Sequence, residues 1–406
     1  MERCIVIGAS HGGSQVVASL RQQGWEGEIV LIGEEPWLPY HRPPLSKTFL
    51  AEDKAIEDIL IRPEAAYVKA AVDLRLSSRV VAIDGAAPSA TLEDGSVIEG
   101  TYLVLATGAV ARHLPIPGAE LAGVHVLRNA ADVGAIKQRA RAGRCAVIIG
   151  GGYIGLETAA SLRKLGMTVT LLEAEERVLA RVTGPEISAF YERVHGEEDV
   201  EILTGAMAAE IVGDAEVSAV RLRDGRTIDA DLVIVGVGIL PATTLAEDAG
   251  IAVDDGIVVD EQCQSSMPGV FSVGDCARHF NSFYQRSVRL ESIQNATDQA
   301  KTAAAAMCNK PAPKAVIPWF WSDQYDIKLQ IAGLSQGFDQ IVVRGSLDEG
   351  RSFAAFYYKD EALIACDAVN RPKEFMLAKK VLSEGKSIPA IRVSDESIDI
   401  RELMPS

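Results

Sequence analysis

Apolar and polar positions follow one another in short blocks along this chain of 406 residues. Runs of four or five apolar residues, such as Cys145–Ile149, are bounded by glycines and predict buried strands. Amphipathic runs, such as the one that ends at Leu165, predict helices that cover those strands. Because strands and helices alternate in this way, the pattern predicts an α/β fold.

The segment Cys145–Glu173 carries the most specific pattern. Its first strand runs into G-G-G-Y-I-G from residue 150, and a helix, Gly166 and a second strand at Val169–Leu172 follow. Glu173 then lies 18 residues after Gly155. This order of strand, G-x-G-x-x-G, helix, strand and acid is typical of a dinucleotide-binding βαβ unit. The context disfavours the alternative, a purely structural glycine turn.

Each part of this segment has a predicted task. Gly150 makes the tight turn, Gly152 lets the backbone approach a pyrophosphate, and Gly155 lets the helix pack on the strand. The helix N-terminus offers unpaired N–H groups and partial positive charge to the phosphates. Glu173 would accept hydrogen bonds from the ribose hydroxyls and repel a 2′-phosphate.

A second fingerprint opens the chain. The apolar run Cys4–Ile7 leads into G-A-S-H-G-G from residue 8, and Glu34 follows the next strand in the ribose position. Ser10 occupies the place of the middle glycine, where a Cβ should crowd a pyrophosphate. Either Gly12 relieves that crowding, or the Ser10 hydroxyl donates a hydrogen bond. We expect His11 to be a loop residue rather than a catalyst.

Composition narrows the classes of partner. Asp and Glu number 56 against 40 Lys and Arg, which gives a net charge of −16 and disfavours a nucleic-acid partner. The hydrophobic content of 48% is that of a soluble globular protein. The N-terminal apolar run is too short for a signal peptide, and no run approaches 18 apolar residues, so we expect no membrane span.

The six cysteines are widely spaced and form no C-x-x-C pair. That spacing excludes a zinc or iron–sulfur cradle and a redox-active disulfide, so no metal site is expected. We predict buried or partly buried thiols in a reduced cytoplasm.

Three further segments each allow two interpretations. The proline-stiffened stretch Pro39–Lys47 is either a rigid loop with solvated cations or a device that holds Arg42 and Lys47 at a cofactor. Asp275, in S-V-G-D at the end of a short apolar strand, is either a ligand-binding residue or an N-cap. Trp319 and Trp321 share one face of a predicted strand. They are either part of the core or an aromatic wall beside a planar cofactor.

With T-Y-L-V-L-A-T-G between the two nucleotide folds and G-V-F-S-V-G-D after them, the chain resembles the flavoprotein reductases that have two dinucleotide-binding domains. The segments Y-H-R-P-P-L-S-K, G-G-G-Y-I-G-L-E, E-S-I-Q-N-A-T-D-Q-A and P-W-F-W-S-D-Q-Y narrow the match. Together they resemble the NADH-dependent ferredoxin and rubredoxin reductases that serve bacterial oxygenases. The resemblance covers nearly the whole chain.

The resemblance implies three domains and two cofactors, FAD and NADH. The FAD-binding domain would be discontinuous, with residues 1–110 and 241–317, and the NADH-binding domain would occupy 111–240. Residues 318–406 would form a C-terminal α+β interface domain. The two larger domains would each be Rossmann-like.

The resemblance also implies site residues. Lys47, paired with Glu157, would lie beside the isoalloxazine and adjust the charge around it. Glu157 is also explained as an ordinary helix residue, because a Glu in the first turn stabilises a helix. The remaining FAD contacts are expected at Gly8, Gly12, Gly13, Glu34, Arg42, Val80, Arg128, Asp275, Ile293 and Trp319. The NADH contacts are expected at Gly150, Gly152, Tyr153, Ile154, Gly155, Glu173 and Gly238.

The implied activity is hydride transfer from NADH to FAD, followed by single-electron transfer to a [2Fe-2S] ferredoxin or a rubredoxin that feeds an oxygenase such as a cytochrome P450. Lys301, Lys328 and Arg289 are candidates for docking an acidic acceptor. One alternative is a small-molecule acceptor such as oxygen, a quinone or monodehydroascorbate. Another is a redox-gated interaction protein, which the net charge disfavours.

Overall fold

A computed structural model describes residues 2–404 of the chain. Strands make up most of its regular structure. Numbered in chain order, they are β1 (Arg3–Ile7), β2 (Glu28–Ile32), β3 (Val72–Arg75), β4 (Val80–Asp84), β5 (Ser89–Leu92), β6 (Val97–Glu99), β7 (Tyr102–Leu105), β8 (Ala109–Ala111), β9 (Val124–Val126), β10 (Cys145–Ile149), β11 (Thr168–Leu172), β12 (Val200–Leu203), β13 (Ala208–Gly213), β14 (Val217–Leu222), β15 (Thr227–Asp229), β16 (Leu232–Val235), β17 (Ile239–Pro241), β18 (Ile257–Val259), β19 (Val270–Ser272), β20 (Ala277–Asn281), β21 (Arg286–Arg289), β22 (Trp319–Gln324), β23 (Ile327–Gly333), β24 (Gln340–Gly345), β25 (Phe353–Lys359) and β26 (Ala362–Val369).

Helices connect these strands. They are α1 (His11–Gln22), α2 (Thr48–Ala51), α3 (Glu64–Lys69), α4 (Ala130–Arg139), α5 (Tyr153–Lys164), α6 (Pro185–Glu197), α7 (Thr244–Asp248), α8 (Ile293–Met307), α9 (Pro372–Ser383) and α10 (Ala390–Ser394). Short 3₁₀ helices form at Pro43–Ser46, Ile56–Ile59 and Ile400–Leu403.

One compact unit contains the residues up to His41, Ala55–Val110 and Ile239–Ala315. Its central sheet is parallel, with strand order β19-β7-β1-β2-β3. Helices α1 and α8 pack together in a core with residues of β1, β7 and β19. Gly8, Glu34 and Asp275 follow β1, β2 and β19, so all three lie at the carboxyl edge of the sheet, where open α/β sheets bind ligands.

The second compact unit contains Arg42–Lys54, Ala111–Gly238 and the residues from Val316 onward. Its parallel sheet has the order β12-β11-β10-β16-β9, and an antiparallel sheet of order β22-β23-β26-β25-β24 packs against α9. The α/β class with a C-terminal α+β region is confirmed. Because this unit groups residues 42–54 with the predicted NADH-binding region, the three-domain division remains a prediction.

Most predicted elements form, and the differences have local causes. Strand β10 has the predicted bounds. The sequence predicts a helix from Asn295 to Met307, and α8 begins two residues earlier because the Ser292 hydroxyl accepts a hydrogen bond from the Asn295 N–H at 3.1 Å and caps it. The sequence also predicts short strands from Val68 to Gly100, whereas Val68 is the fifth residue of helix α3. Among residues 2–404, no helix is long and apolar enough to cross a membrane.

Candidate functional site

Two glycines around the turn between β10 and α5, Gly150 and Gly155, could not be replaced by another residue without strain. Gly150 has a φ of +114°, and a Cβ there would lie 2.4 Å from the Gly236 carbonyl oxygen. A Cβ on Gly155 would lie 2.0 Å from the Gly150 carbonyl oxygen. Gly152 differs from both, because a Cβ there would meet nothing within 4 Å. The space above Gly152 is therefore open to a ligand.

Helix α5 begins at this turn, and no side chain occupies its first N–H groups. Gly152 is the N-cap residue, no side chain caps the helix, and the first turn has no acidic residue. Its first N–H groups thus remain available for an anion. Ile154, in the first turn, is 44% exposed. The residues present fit the pyrophosphate of a dinucleotide.

Glu173 follows β11 and is already held by main-chain N–H groups. Its two carboxylate oxygens accept hydrogen bonds from the Gly151 N–H at 2.7 Å and the Glu175 N–H at 2.9 Å. Each carboxylate oxygen has a second lone pair, so Glu173 can still accept hydrogen bonds from ribose hydroxyls. The structure therefore places this acid, with its orientation fixed, beside the glycine turn.

The turn between β1 and α1 has the same main-chain geometry. Gly8 has a φ of +116°, and its Cβ would lie 2.1 Å from the Ala106 carbonyl oxygen. A Cβ on Gly13 would lie 2.0 Å from the Gly8 carbonyl oxygen, and one on Gly12 would lie 3.3 Å from Val273 Cγ2. This turn also fits a dinucleotide phosphate, because α1 has no acidic residue in its first turn.

The structure shows the local roles of two further residues of the first turn. Ser10 is the N-cap residue of α1 but makes no side-chain cap hydrogen bond. His11, predicted to be a loop residue, opens helix α1, and its Nε2 lies 3.1 Å from Nδ1 of His41. Partial burial and, to a lesser extent, the charge of Arg62 lower the pKa of His41. This imidazole pair was not anticipated.

The other predicted FAD contacts of the first unit lie on several elements. Val80 begins β4, and Ile293 is the first residue of α8. The Glu34 side chain is 72% exposed and lies 3.8 Å from Arg79. Asp275 precedes strand β20, so the alternative that it caps a helix is wrong.

In the second unit, the structure brings Arg42 and Arg128 together. The Arg42 guanidinium donates a hydrogen bond to the Arg128 carbonyl oxygen at 2.9 Å, and the Arg128 N–H donates to Asp132 at 2.8 Å. Gly238 has a φ of +103° and accepts a hydrogen bond from the Arg112 N–H at 3.0 Å. The roles of these residues toward a cofactor remain predictions.

Lys47 and Glu157 form an ion pair in the second unit, with Nζ and Oε2 2.7 Å apart. The Glu157 side chain is 3% exposed and that of Lys47 17%. The sequence placed Glu157 in the first turn of its helix, but α5 begins at Tyr153, so Glu157 is the fifth residue. A favourable interaction with the helix N-terminus therefore does not explain why Glu157 is an acid.

Two serines that sequence analysis missed complete the surroundings of Glu157. The Ser46 hydroxyl donates to Oε2 at 2.5 Å, and the Ser322 hydroxyl donates to Oε1 at 2.6 Å. Hydrogen bonds and a cation thus satisfy both oxygens of a buried carboxylate. A signal for Ser322 was available, since alternation along β22 puts it on the face opposite Trp319 and Trp321.

Aromatic residues lie on both faces of β22 in the second unit. The rings of Trp319 and Trp321 lie 5.5 Å apart, and the Lys379 ammonium is 4.6 Å from the Trp319 ring. The Tyr153 ring lies 4.8 Å from that of Phe320. Burial raises the pKa of Tyr153 well above its usual value. Trp319 packs against the C-terminal core, and its role as a wall beside a cofactor remains a prediction.

A second buried acid of this unit contrasts with Glu157. Asp367 is fully buried, accepts a hydrogen bond from the Tyr357 hydroxyl at 2.7 Å, and has one oxygen without a partner. Burial raises the pKa of Asp367 to about 7, against the smaller lowering effect of the Tyr357 hydrogen bond. The carboxyl group thus has too few partners to remain fully charged at neutral pH.

A cleft of about 550 Å³ reaches the Lys47–Glu157 pair. Its remaining lining is largely polar and titratable: Thr48, Ala51, Ala160, Ser161, Arg163, Lys164, Glu197, Glu198, Asp199, Asp323, Gln324 and Tyr325.

The remaining predicted features concern thiols, metals and docking. Four of the six cysteines are buried and two are half-buried. Among residues 2–404, no group of three or more His, Cys, Asp or Glu is arranged to hold a metal ion. Arg289 is not a surface cation, because its side chain is 11% exposed and pairs with Asp255 and Glu291.

Comparison with known proteins places the chain in a family. Residues 2–300 match the family described as pyridine nucleotide-disulphide oxidoreductase, and residues 319–404 match the family described as reductase C-terminal. Putidaredoxin reductase CamA of Pseudomonas putida is 41% identical over 99% of this chain and 97% of its own length. A ferredoxin reductase subunit of a 5,5′-dehydrodivanillate O-demethylase, from Sphingobium sp., is 43% identical over 98% of each chain.

A solved structure agrees with these relatives. The crystal structure of a covalent putidaredoxin reductase–putidaredoxin complex matches with a TM-score of 0.96 at 40% identity, over 99% of this chain and 98% of that one. This match covers the two glycine turns, the parallel sheets and the C-terminal antiparallel sheet together. The chain belongs to the pyridine nucleotide-disulphide oxidoreductases and, within them, to the putidaredoxin reductase-like ferredoxin reductases.

Proposed function

We propose that the protein is an NADH-dependent, FAD-containing reductase that delivers electrons singly to a [2Fe-2S] ferredoxin or a rubredoxin of an oxygenase system. The observation that carries this proposal is the pair of glycine turns, each at the carboxyl edge of its own parallel sheet. Two such turns fit two dinucleotides. The overall change is NADH plus two oxidised acceptors giving NAD⁺, one proton and two reduced acceptors.

The residues around the first turn would hold FAD in a discontinuous domain of residues 1–110 and 241–317. Gly8, Gly12 and Gly13 admit its phosphates to the N-terminus of α1, and Glu34 takes the ribose hydroxyls. Asp275 and Ile293, at the ends of β19 and α8, contribute from the second part of that domain. FAD, when bound, accepts hydride from NADH and releases electrons one at a time.

The residues around the second turn would hold NADH in the domain of residues 111–240. Gly152 leaves space for the pyrophosphate, and the fixed carboxylate of Glu173 accepts hydrogen bonds from the ribose. The same charge repels a 2′-phosphate, so NADH is preferred over NADPH. Lys47 and Glu157 orient the reacting rings and set the local charge rather than moving the hydride. The 318–406 region contributes Trp319 and the support of Glu157 by Ser322.

The acceptor is a small iron–sulfur or iron protein, by analogy with the relative crystallised with putidaredoxin. An acidic reductase with a net charge of −16 needs a local basic patch to dock an acidic ferredoxin. Lys301 and Lys328 remain candidates, and electron transfer should weaken as salt rises. We infer a cytoplasmic location, where NADH is produced and the thiols stay reduced.

Anaerobic mixing of the FAD-loaded protein with NADH and an oxidised [2Fe-2S] ferredoxin tests the proposal. We expect two ferredoxins to be reduced per NADH, at a rate that falls with added salt. The control is the same protein with NADH in air and no carrier, where turnover should be slow. Rapid oxidation of NADH in air, with no faster turnover when ferredoxin is added, would instead support a small-molecule acceptor.

A further inference from the structure

A continuous line of hydrogen bonds leads from the buried Glu157 carboxylate to the wall of the cleft. Ser322 Oγ lies 2.6 Å from Glu157 Oε1 and 3.2 Å from Gln324 Nε2. Gln324 Oε1 lies 2.8 Å from His195 Nε2. His195 Nδ1 lies 3.0 Å from the Tyr325 hydroxyl. We call Ser322, Gln324, His195 and Tyr325 the relay.

The inner residues of the relay are shielded from water, and its outer end is not. The side chains of Ser322 and His195 are fully buried, and Gln324 is 2% exposed. Tyr325 is half-buried and contributes to the lining of the cleft. Three of the four residues come from strand β22 and the turn after it, and His195 comes from the last turn of α6. The relay therefore ties two elements to the acid on α5.

The charge of Glu157 imposes one direction on every hydrogen bond in the relay. Beside the Lys47 ammonium, an ionised carboxylate can only accept, so the Ser322 hydroxyl must donate to it. Ser322 then accepts from the amide nitrogen of Gln324, which leaves the amide oxygen of Gln324 facing His195. That oxygen requires a hydrogen on Nε2 of His195. Nδ1 is consequently an acceptor, and the Tyr325 hydroxyl donates to it.

The protonation state of His195 agrees with this direction. Burial lowers the pKa of His195 to about 4, against smaller raising effects of Gln324 and Glu198. The imidazole is therefore neutral at pH 7 and has one donor and one acceptor nitrogen. Charged groups around the relay include Lys47 at its inner end, Asp323 on β22, and Glu198, Arg163 and Arg351 near its outer end.

We propose that the relay residues are positioning residues of the reductase: their single hydrogen-bond direction holds the Glu157 carboxylate against Lys47. This inference rests on the proposed function, in which Lys47 and Glu157 lie at the reacting rings. If His195 did not supply an Nε2–H, the Gln324 amide could turn over and present its oxygen to Ser322. The Ser322 hydroxyl would then be drawn away from Glu157.

The relay does not carry protons, because an amide such as Gln324 is neither an acid nor a base near neutral pH. The residues act on Glu157 only by orientation. If the relay loses its single hydrogen-bond direction, the rate of flavin reduction should fall through the change at Glu157, and the affinity for NADH should stay unchanged. That expectation separates the relay from a general contribution to packing.

The first test reads the tautomer directly. In the FAD-loaded protein labelled with ¹⁵N-histidine, the ring nitrogens of the six histidines are resolved by NMR, and His195 is assigned by its loss in His195→Gln. We expect a neutral ring protonated at Nε2, unchanged from pH 8 to pH 5.5. A ring protonated at Nδ1, or one that titrates near pH 6.5, would overturn the proposal. Neither result depends on whether NADH reduces the flavin.

The second test uses the rate of flavin reduction in anaerobic stopped flow. His195→Phe should slow reduction about tenfold at an unchanged NADH Kd, the size of effect expected when a hydrogen bond to a charged group is lost. His195→Gln, which keeps a donor for Gln324, should stay within about twofold of the natural protein. In a Glu157→Gln background, His195→Phe should have no further effect.

Three results would contradict the relay. They are a His195→Gln variant as slow as His195→Phe, an unchanged rate in His195→Phe, or additive losses in the double variant with Glu157→Gln. If His195→Phe does not fold, Tyr325→Phe at the half-buried end applies the same test, with a smaller expected loss and the same absence of additivity. Failure of NADH to reduce the natural protein at all would instead contradict the proposed function.

Discussion

The two glycine turns of the molecule share their main-chain geometry and differ in the acid that accompanies them. In both turns the first glycine has a φ near +115°, and the last would place a Cβ 2.0 Å from a carbonyl oxygen of the first. Glu173 of the second turn is held by two N–H groups, whereas the Glu34 side chain is 72% exposed. Backbone sterics therefore fix the turns, and hydrogen bonds distinguish the acids.

The difference suits two different kinds of ligand. A carboxylate that is already fixed loses little conformational entropy when a ligand binds. That property favours a dinucleotide that enters and leaves in each reaction cycle, as NADH does. The first turn would hold a resident cofactor, for which Glu34 can be ordered once, when FAD binds.

The strongest effect on stability should come from adding a methyl group at Gly13 or Gly155, where the backbone lies close to a carbonyl oxygen. Gly13→Ala and Gly155→Ala should each destabilise the fold by about 3 kcal/mol, because a Cβ at 2.0 Å from a backbone oxygen forces the main chain to move. We expect Gly13→Ala to purify with little FAD, and Gly155→Ala to retain FAD that NADH no longer reduces. FAD content, NADH reduction and thermal unfolding measure these outcomes.

The matched control for both variants is Gly152→Ala, where a Cβ meets nothing within 4 Å. Its thermal unfolding should be that of the natural protein. Loss of the same cofactor in Gly13→Ala and Gly155→Ala would break the distinction between the turns.

A smaller effect is expected from neutralising the two acids. Glu173→Gln should raise the Kd for NADH about tenfold, since a fixed charged acceptor is lost, and should narrow the preference for NADH over NADPH. Glu34→Gln should lower FAD affinity by only about threefold, because an exposed acid contributes less. Titration of each variant with its cofactor measures both. An equal loss of cofactor affinity in Glu173→Gln and Glu34→Gln would show that the hydrogen bonds that hold Glu173 have no consequence for binding.

The smallest effects should come from exchanging the middle residues of the turns. Gly152→Ser fills open space above the second turn, and we expect it to weaken NADH binding about fivefold through crowding. Ser10→Gly should change FAD affinity by less than about threefold, since Ser10 is already the N-cap of α1. Fluorescence titration with FAD measures the second variant. A gain above tenfold in Ser10→Gly would show that Ser10 crowds the phosphates after all.

Local periodicity and glycine spacing predicted much of this fold. Strand β10 formed with its predicted bounds, and the close approach at Gly155 followed from its place in the fingerprint. The close approach at Gly155 involves Gly150 of the same turn, and β11, one of the strands that pair with β10, follows within about 30 residues, as in any βαβ unit. The positions of both turns can therefore be read from the amino-acid sequence alone.

Features that depend on distant parts of the chain could not be found in this way. Glu157 accepts hydrogen bonds from Ser46 and Ser322, which lie 111 and 165 positions away along the chain. The burial of Asp367 depends on the packing of β26, and Arg289 forms an ion pair with Asp255, which lies in an earlier loop of the chain. Without the resemblance to a known family, the pairing of Lys47 with Glu157 would not have been predicted, and Glu157 would have been interpreted as an ordinary helix residue.

In our proposal the two turns take different dinucleotides, with FAD at the first and NADH at the second. Anaerobic titration of the FAD-loaded protein with NADH and, separately, with NADPH distinguishes the two sites. We expect one NADH per FAD to bleach the flavin absorbance, and NADPH to require a concentration at least about tenfold higher because its 2′-phosphate meets Glu173. Equal reduction by both nucleotides, or protein that binds NADH but no FAD, would show that the two turns do not divide the cofactors in this way.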